Sequence, residues 1–317
     1  MKTTDRRRVL QAGLGGLAGL ASVPLLGGLA GCQPLPAREG GRVAALPTEK
    51  LAERVTLITG APGNVVVLEA EDGVVLVDSG AAEFARAVKA SLAGAKVRTL
   101  FNTHYHPDQT GGNVLFGKEG ATIHAHVITR QWLATDYYVP AEDRWVKALP
   151  EHALPTVTFR QKGEMKAGAE TIEYGYLLEA HTRGDIYVFF RDSNVLAVGD
   201  VASPLRDPSH DWYAGGWLGG RVDAMDDLLE LANDDTRIVP AYGPVMTRAQ
   251  LQAERDMMLH LYDRTTLLTT KGHSAQDMLE AGVMNEVSRK FEDPYRFLYD
   301  VSKGLWAHYT NFGGNIV

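Results

Sequence analysis

The chain has 317 residues, 45% of them hydrophobic and 22% charged, with a formal net charge of −7. That composition suits a globular protein with a sizeable core, in one large domain or two small ones. A mildly acidic balance without a basic face speaks against nucleic acid as a partner.

In chain order, the first 32 residues read as an export segment. Arg6-Arg7-Arg8-Val9-Leu10 is a basic head, and a Gly/Ala/Leu run without charge follows to Gly31. Asp5 to Leu10 resembles a twin-arginine signal, and Leu29-Ala30-Gly31-Cys32 is similar to a bacterial lipobox. That resemblance implies a lipid on Cys32 and a membrane-anchored protein of the cell envelope, facing the periplasm. An uncleaved anchor is the alternative, since about 20 apolar residues suffice to span a bilayer. Cys32 is the single cysteine, so intrachain disulfides and cysteine-rich metal sites are excluded. Residues 33–50, with Pro34, Pro36, Gly40 and Gly41, read as a tether without helical or strand period.

From Arg54 the pattern turns to strands. Val55 to Thr59 is short and largely β-branched; Asn64–Ala70 and Val74–Asp78 flank Asp72-Gly73, a hairpin signal. Ala81 to Leu92 reads as a helix, and Val97–Phe101 and Gly120–His124 as strands. Residues 127–150 mix helical and loop signals around Trp132, Tyr137, Tyr138 and Trp145. Further strands are expected at 156–159, 171–178, 186–190, 195–198 and 237–239, and a helix at 223–231. Beyond Thr247 everything reads as helix, broken near Gly272, Gly282 and Pro294. Strands in runs separated by helices, twice over, predict an α/β fold: a four-layer αββα sandwich over 51–250, with 251–317 as a helical extension packed on it.

The chemistry concentrates in Thr103-His104-Tyr105-His106-Pro107-Asp108-Gln109-Thr110-Gly111-Gly112. Two imidazoles and a carboxylate at alternate positions, just beyond an apolar strand, can be aimed at one point, and they are donors that zinc or iron accepts. His181 and Asp200 supply matching donors downstream.

Together these segments resemble the metallo-β-lactamase fold superfamily. His104-Tyr105-His106-Pro107-Asp108 is similar to its signature. Val77-Asp78-Ser79-Gly80, His181-Thr182-Arg183-Gly184-Asp185, Val198-Gly199-Asp200 and Ala241-Tyr242-Gly243-Pro244 follow in the order of its supporting motifs, so the resemblance covers roughly residues 54 to 250. It implies a metal-dependent hydrolase in which His104, His106 and His181 hold one ion with an open position for water, whose pKa falls to about 7. Asp108 would face a second metal or orient the water, and Asp200 would bridge two metals or ligate one. Asp78 and Asp185 would brace the site loops from behind.

Two departures fall on the second metal position. Gln109 and Tyr242 stand where the family pattern has histidines. The expectation is one firmly held ion, zinc with iron as the alternative, and a weak or vacant second position. Tyr242 is expected either to donate to a substrate oxyanion or to fill the space of the missing imidazole. His124 and His126 are not expected to be ligands. Trp212 and Trp217, in the Gly-rich loop 212–220, and His210 just before it are expected to line a substrate pocket, with a replacement for a missing imidazole or a solvent-exposed loop histidine as the alternatives for His210. The expected substrate is a small ester, lactone, amide or related molecule. The alternative is a scaffold lipoprotein that kept the fold and lost efficient chemistry. Oligomeric state is left open.

Overall fold

The computed structural model describes residues 38–39, 42–139 and 143–311. The export segment and Cys32 lie outside the described residues. Two short strands, β1 (Arg38–Glu39) and β2 (Arg42–Val43), pair antiparallel ahead of the main body.

A seven-stranded sheet contains β3 (Thr48–Lys50), β4 (Val55–Ile58), β5 (Val65–Ala70), β6 (Gly73–Val77), β7 (Val97–Phe101), β8 (Thr122–His126) and β11 (Val157–Phe159), in the spatial order β11-β8-β7-β6-β5-β4-β3. Residues 48–50, read from sequence as tether, are its edge strand, paired antiparallel to β4. The Asp72-Gly73 signal sits where expected, in the turn between β5 and β6.

The second sheet has five strands: β12 (Gly163–Ala167), β13 (Glu170–Tyr176), β14 (Ile186–Phe190), β15 (Val195–Gly199) and β16 (Arg237–Pro240), ordered as numbered. β15 and β16 run parallel. β12 went unrecognised in the sequence because its pattern, Gly-Glu-Met-Lys-Ala, is half polar, as befits an edge strand. Between β8 and β11 in the chain, β9 (Tyr137–Val139) and β10 (Arg144–Val146) form a small separate hairpin, where sequence suggested helix and loop.

Alternation within the strands decides the layering. Val66, Leu68, Val75, Val77 and Phe101 of the first sheet pack against Ile172, Val188, Phe190, Val195 and Ala197 of the second, forming the inner core. Their neighbours Val65, Val67, Leu76 and Leu100 face outward, onto α1 (Ala85–Ser91) and α3 (Asn113–Lys118). A one-turn helix, α2 (Pro107–Thr110), and α4 (Val127–Leu133) complete that half. The outer face of the second sheet, through Tyr187, Phe189, Leu196 and Val198, meets α5 (Leu218–Leu231), α6 (Arg248–Thr270), α7 (Ala275–Glu280) and α8 (Pro294–Asn311). Strands covered on both faces read as near-continuous apolar runs, which is why β14 and β15 are buried at every position. The αββα sandwich expected from sequence is the observed fold, and the C-terminal helices share its core. No helix among the described residues is long and apolar enough to cross a membrane.

α5 starts five residues earlier than expected, through Gly219-Gly220. A Cβ at Gly220 would lie 2.3 Å from the Glu179 carbonyl oxygen, so glycine here serves close packing rather than a break.

Candidate metal centre

The site lies at the C-terminal ends of β7 and β15 and in the loops that follow. β7 ends at Phe101, and the chain turns through His104 to the single turn α2, so His104 and His106 emerge together. β15 ends in Gly199, which has a positive φ and where a Cβ would lie 2.9 Å from the Thr103 side chain. Asp200 follows directly. His181 comes from the loop between β13 and β14, which Asp185 ties down. That buried carboxylate accepts from the His181 and Thr182 backbone N–H groups at 2.6 and 2.7 Å, and from the Thr182 hydroxyl at 2.8 Å.

Four donor groups converge. His104 Nε2 lies 3.1 Å from His106 Nδ1, and His181 Nε2 lies 3.2 Å from the same atom. Asp200 Oδ2 is 3.5 Å from His104 Nε2 and 3.7 Å from His181 Nε2. One donor atom from each of these residues falls within 4.8 Å of all the others.

The remote nitrogens are all occupied. Thr103 Oγ1 sits 3.1 Å from His104 Nδ1 and donates to Asp78 Oδ2 at 2.7 Å, so it accepts from the imidazole. Asp78 Oδ1 also accepts from the Thr103 backbone N–H at 2.8 Å. His106 Nε2 donates to Asp211 Oδ2 at 2.9 Å, and the Tyr105 hydroxyl donates to the same oxygen. His181 Nδ1 donates to the Ser209 carbonyl at 3.0 Å, which also accepts from Arg221 at 2.8 Å. These bonds orient each ring so that its other nitrogen faces the shared point.

Electrostatics agree. Burial holds His104 well below its ordinary pKa and brings His181 down to about 3, with the charges of His106 and Arg221 acting the same way on both. Burial also pulls on His106, but the hydrogen bond and charge of Asp211, together with the charges of Asp108 and Asp200, outweigh it and raise this imidazole to about 9. Burial raises Asp200 and Asp108 above the usual carboxylate range, and on Asp108 the neighbouring charge of Asp200 adds to it. Nitrogen lone pairs and a carboxylate crowded within one shell repel one another unless a proton or cation lies between them. Three imidazoles and one carboxylate, with remote partners in place, fit a divalent ion.

Asp108 stands apart from the four converging donors. Its Oδ2 accepts from the Tyr242 hydroxyl, and the Tyr242 ring in turn lies 3.2 Å beneath the Arg206 guanidinium. Asp108 is thus a carboxylate at the cavity wall, held by a phenol. Asn64 fixes the loop presenting Tyr242, donating to Pro240 and Gly243 carbonyls at 2.9 and 3.0 Å. The Gln109 amide is buried, and neither of its polar atoms has a hydrogen-bond partner among the described residues.

A cavity of about 700 Å³ opens from the site. Beside His106, Asp108, His181 and Asp200 it is lined by His210, Arg206 and Tyr242, and across from them by an aromatic group. In that group Tyr105 stacks on Trp132 at 4.8 Å, and Tyr137 and Tyr213 meet Trp132 edge-on. Trp212 and Trp217 do not line this cavity. Trp217 precedes α5 and stacks on His308 of α8 at 3.6 Å, and Trp212 borders a separate surface depression with Gln131 and Arg183. The expected aromatic wall exists, but α4 and β9 supply two of these four rings, Trp132 and Tyr137, while the Gly-rich loop supplies Tyr213 and the loop after β7 supplies Tyr105. His126 stacks on Tyr176 at 4.0 Å and His124 meets Phe101 at 4.9 Å, both outside the cluster.

Sequence reasoning missed Asp211, Thr103 and Arg221. Arg221 is fully buried and donates to the carbonyls of Val201, Ser209 and Asp200. Its signal was legible: it falls on the apolar stripe of α5, three residues after Leu218 and four before Met225, where a cation needs a task.

The profile of the metallo-beta-lactamase superfamily matches residues 58–243, more than half of the chain. The chain belongs to that superfamily. The α subunit of 2,4-dinitroanisole O-demethylase from Nocardioides sp. (strain JS1661) is 25% identical over 266 residues, 81% of this chain and 71% of its own length. The stereoselective inverting sec-alkylsulfatase Pisa1 from Pseudomonas sp. superposes with a TM-score of 0.59 at 18% identity, over 86% of this chain and 50% of its own. This chain thus spans about half the length of that sulfatase. A metallo-beta-lactamase from Pontibacter korlensis superposes with a TM-score of 0.55 at 18% identity, over 68% of this chain and 99% of its own. At that identity the two superpositions speak for the fold.

Proposed function

We propose that this protein is a metal-dependent hydrolase acting on a small, largely aromatic or apolar molecule that carries an O-linked group. The observation that carries the reading is the convergence of His104, His106, His181 and Asp200 beside an open cavity with a wall of aromatic rings. His104, His106, His181 and Asp200 would hold a divalent ion, zinc in this proposal, which would supply a water with a pKa near 7. Asp108, steadied by Tyr242, would orient that water and take up its proton. Tyr105, Trp132, Tyr137 and Tyr213 receive the apolar body of the substrate. Two relatives, a subunit of an O-demethylase and an alkylsulfatase, are named for reactions of groups joined through oxygen, and this supports the choice of substrate class.

One ion per chain belongs to this proposal, because Gln109 and Tyr242 leave the second position without imidazoles. The test is turnover of aryl and alkyl carboxylic esters, sulfate esters and activated aryl ethers by purified protein, with and without chelator. Chelator-sensitive hydrolysis, restored by zinc, is expected. Turnover indifferent to chelation, or none across all three bond types with a fully loaded site, sinks the proposal. Anchoring at the cell envelope through Cys32 is part of the same proposal. Radiolabelled palmitate should label the wild type in a bacterial host and not Cys32→Ala; equal labelling refutes it.

A further inference from the structure

His210 is a buried side chain for which the fold supplies no partner. It is 3% exposed, lines the cavity beside His181, Asp200 and Asp211, and neither ring nitrogen has a hydrogen-bond partner among the described residues. Its ring lies 5.7 Å from that of Phe297 on α8, and Arg296 and Asp300 of the same helix, joined to each other at 2.6 Å, line the same cavity. His210 is not one of the converging donors. An imidazole offers at least one N–H donor in either protonation state. Buried polar groups are paired as a rule, and unpaired ones cost free energy comparable to a lost hydrogen bond. A donor left unpaired in a reaction cavity is suited to charge that develops only during reaction.

We propose that His210 is a catalytic residue whose ring N–H donates to the substrate oxygen that departs on hydrolysis. The inference rests on the hydrolase reading above. In the balanced step, water's oxygen bonds to the transferred group X, and the bond between X and the departing oxygen breaks, leaving its electron pair on R–O⁻. One proton of water passes to Asp108 and onward, directly or through solvent, to R–O⁻, so R–O–X and water become R–OH and HO–X. The imidazole stabilises R–O⁻ as a donor without having to surrender its proton. α8 contributes Phe297 against the ring, which gives this C-terminal helix, outside the matched residues 58–243, a part in the site.

Two measurements on the full, metal-loaded protein test this. The first is binding of 4-nitrophenolate, a mimic of a departing aryl oxygen, against nitrobenzene, which lacks that oxygen. Wild type is expected to prefer the phenolate, and His210→Leu to lose roughly 10–100-fold in phenolate affinity with nitrobenzene binding unchanged, the scale of a hydrogen bond to a charged group. Either His210→Asn or His210→Gln, which place an amide N–H near one ring nitrogen or the other, should recover part of the loss. Metal content and circular dichroism of the variants report folding. Equal phenolate binding by wild type and His210→Leu, or no recovery by either amide variant, overturns the proposal. The second measurement uses any aryl series that wild type hydrolyses. The rate lost in His210→Leu should grow with the pKa of the leaving phenol, and a uniform loss across the series overturns the assignment. Phenolate binding that depends on His210 in a protein with no turnover supports the donor while removing the hydrolase reading, so the two fail separately.

Discussion

Asp211→Asn makes a prediction with two opposing parts. Asp211 accepts the Nε2–H of His106 at 2.9 Å and the Tyr105 hydroxyl. A carboxylate behind a metal-binding histidine is worth about 10–100-fold in metal affinity. The same carboxylate also favours a competitor. His104 and His181 are held low, so of the three imidazoles His106, raised to about 9, is the one that carries a proton at neutral pH. Loading the metal must expel that proton, which at pH 7 weakens apparent affinity about 100-fold relative to the deprotonated site.

The sign follows directly. In wild type, log apparent affinity rises by about one unit per pH unit until it flattens near pH 9. Asp211→Asn removes the largest interaction that raises His106, so its curve flattens at a lower pH. It lies about 10–100-fold under wild type at the alkaline end and, around pH 7, equals wild type or exceeds it by up to about tenfold. Competition with a chromophoric chelator at a series of pH values from about 6 to 9.5 measures both curves. Two parallel curves, or a wild-type affinity that does not change between about pH 6.5 and 8.5, would refute the reasoning.

Three further outcomes are expected. The double variant Gln109→His with Tyr242→His returns imidazoles to the second position and should retain about two equivalents of zinc after dialysis against the wild type's one, by plasma emission spectrometry; two equivalents in wild type would falsify the one-ion proposal. Thr103→Val breaks the relay from Asp78 to His104 Nδ1 while keeping the side-chain shape, and zinc affinity should fall about tenfold in a chelator competition. Arg221→Met strips donors from three buried carbonyls, and urea denaturation should show a loss of about 2–4 kcal/mol, with a stability equal to wild type contradicting the role given to Arg221.

Local pattern carried much of this molecule. Alternating β-branched runs, the Asp72-Gly73 turn and the apolar length of β14 and β15 depend on neighbours in the chain, and they were legible without coordinates. His104 and His106 were legible as a pair because alternate positions beyond a strand share a direction. Joining His181 and Asp200 to them took the resemblance of several motifs in order.

What needed the tertiary structure was the direction of side chains that meet from distant segments. Asp211 reaches His106 across 105 positions and Tyr242 reaches Asp108 across 134, and no local period encodes such pairs. The cavity wall shows the same limit. Trp212 and Trp217 lie closer in sequence to Asp200, yet Trp132 and Tyr137 line the site, because the start of α5 packs Trp217 against α8 while α4 and the β9–β10 hairpin carry their rings to the cavity. Sequence by itself determined the candidate donors and most strands of the two sheets. Only the packing of helices on the two sheets decided which side chains back the donors and which face the substrate, since burial on one side of a helix or loop settles what its other side presents.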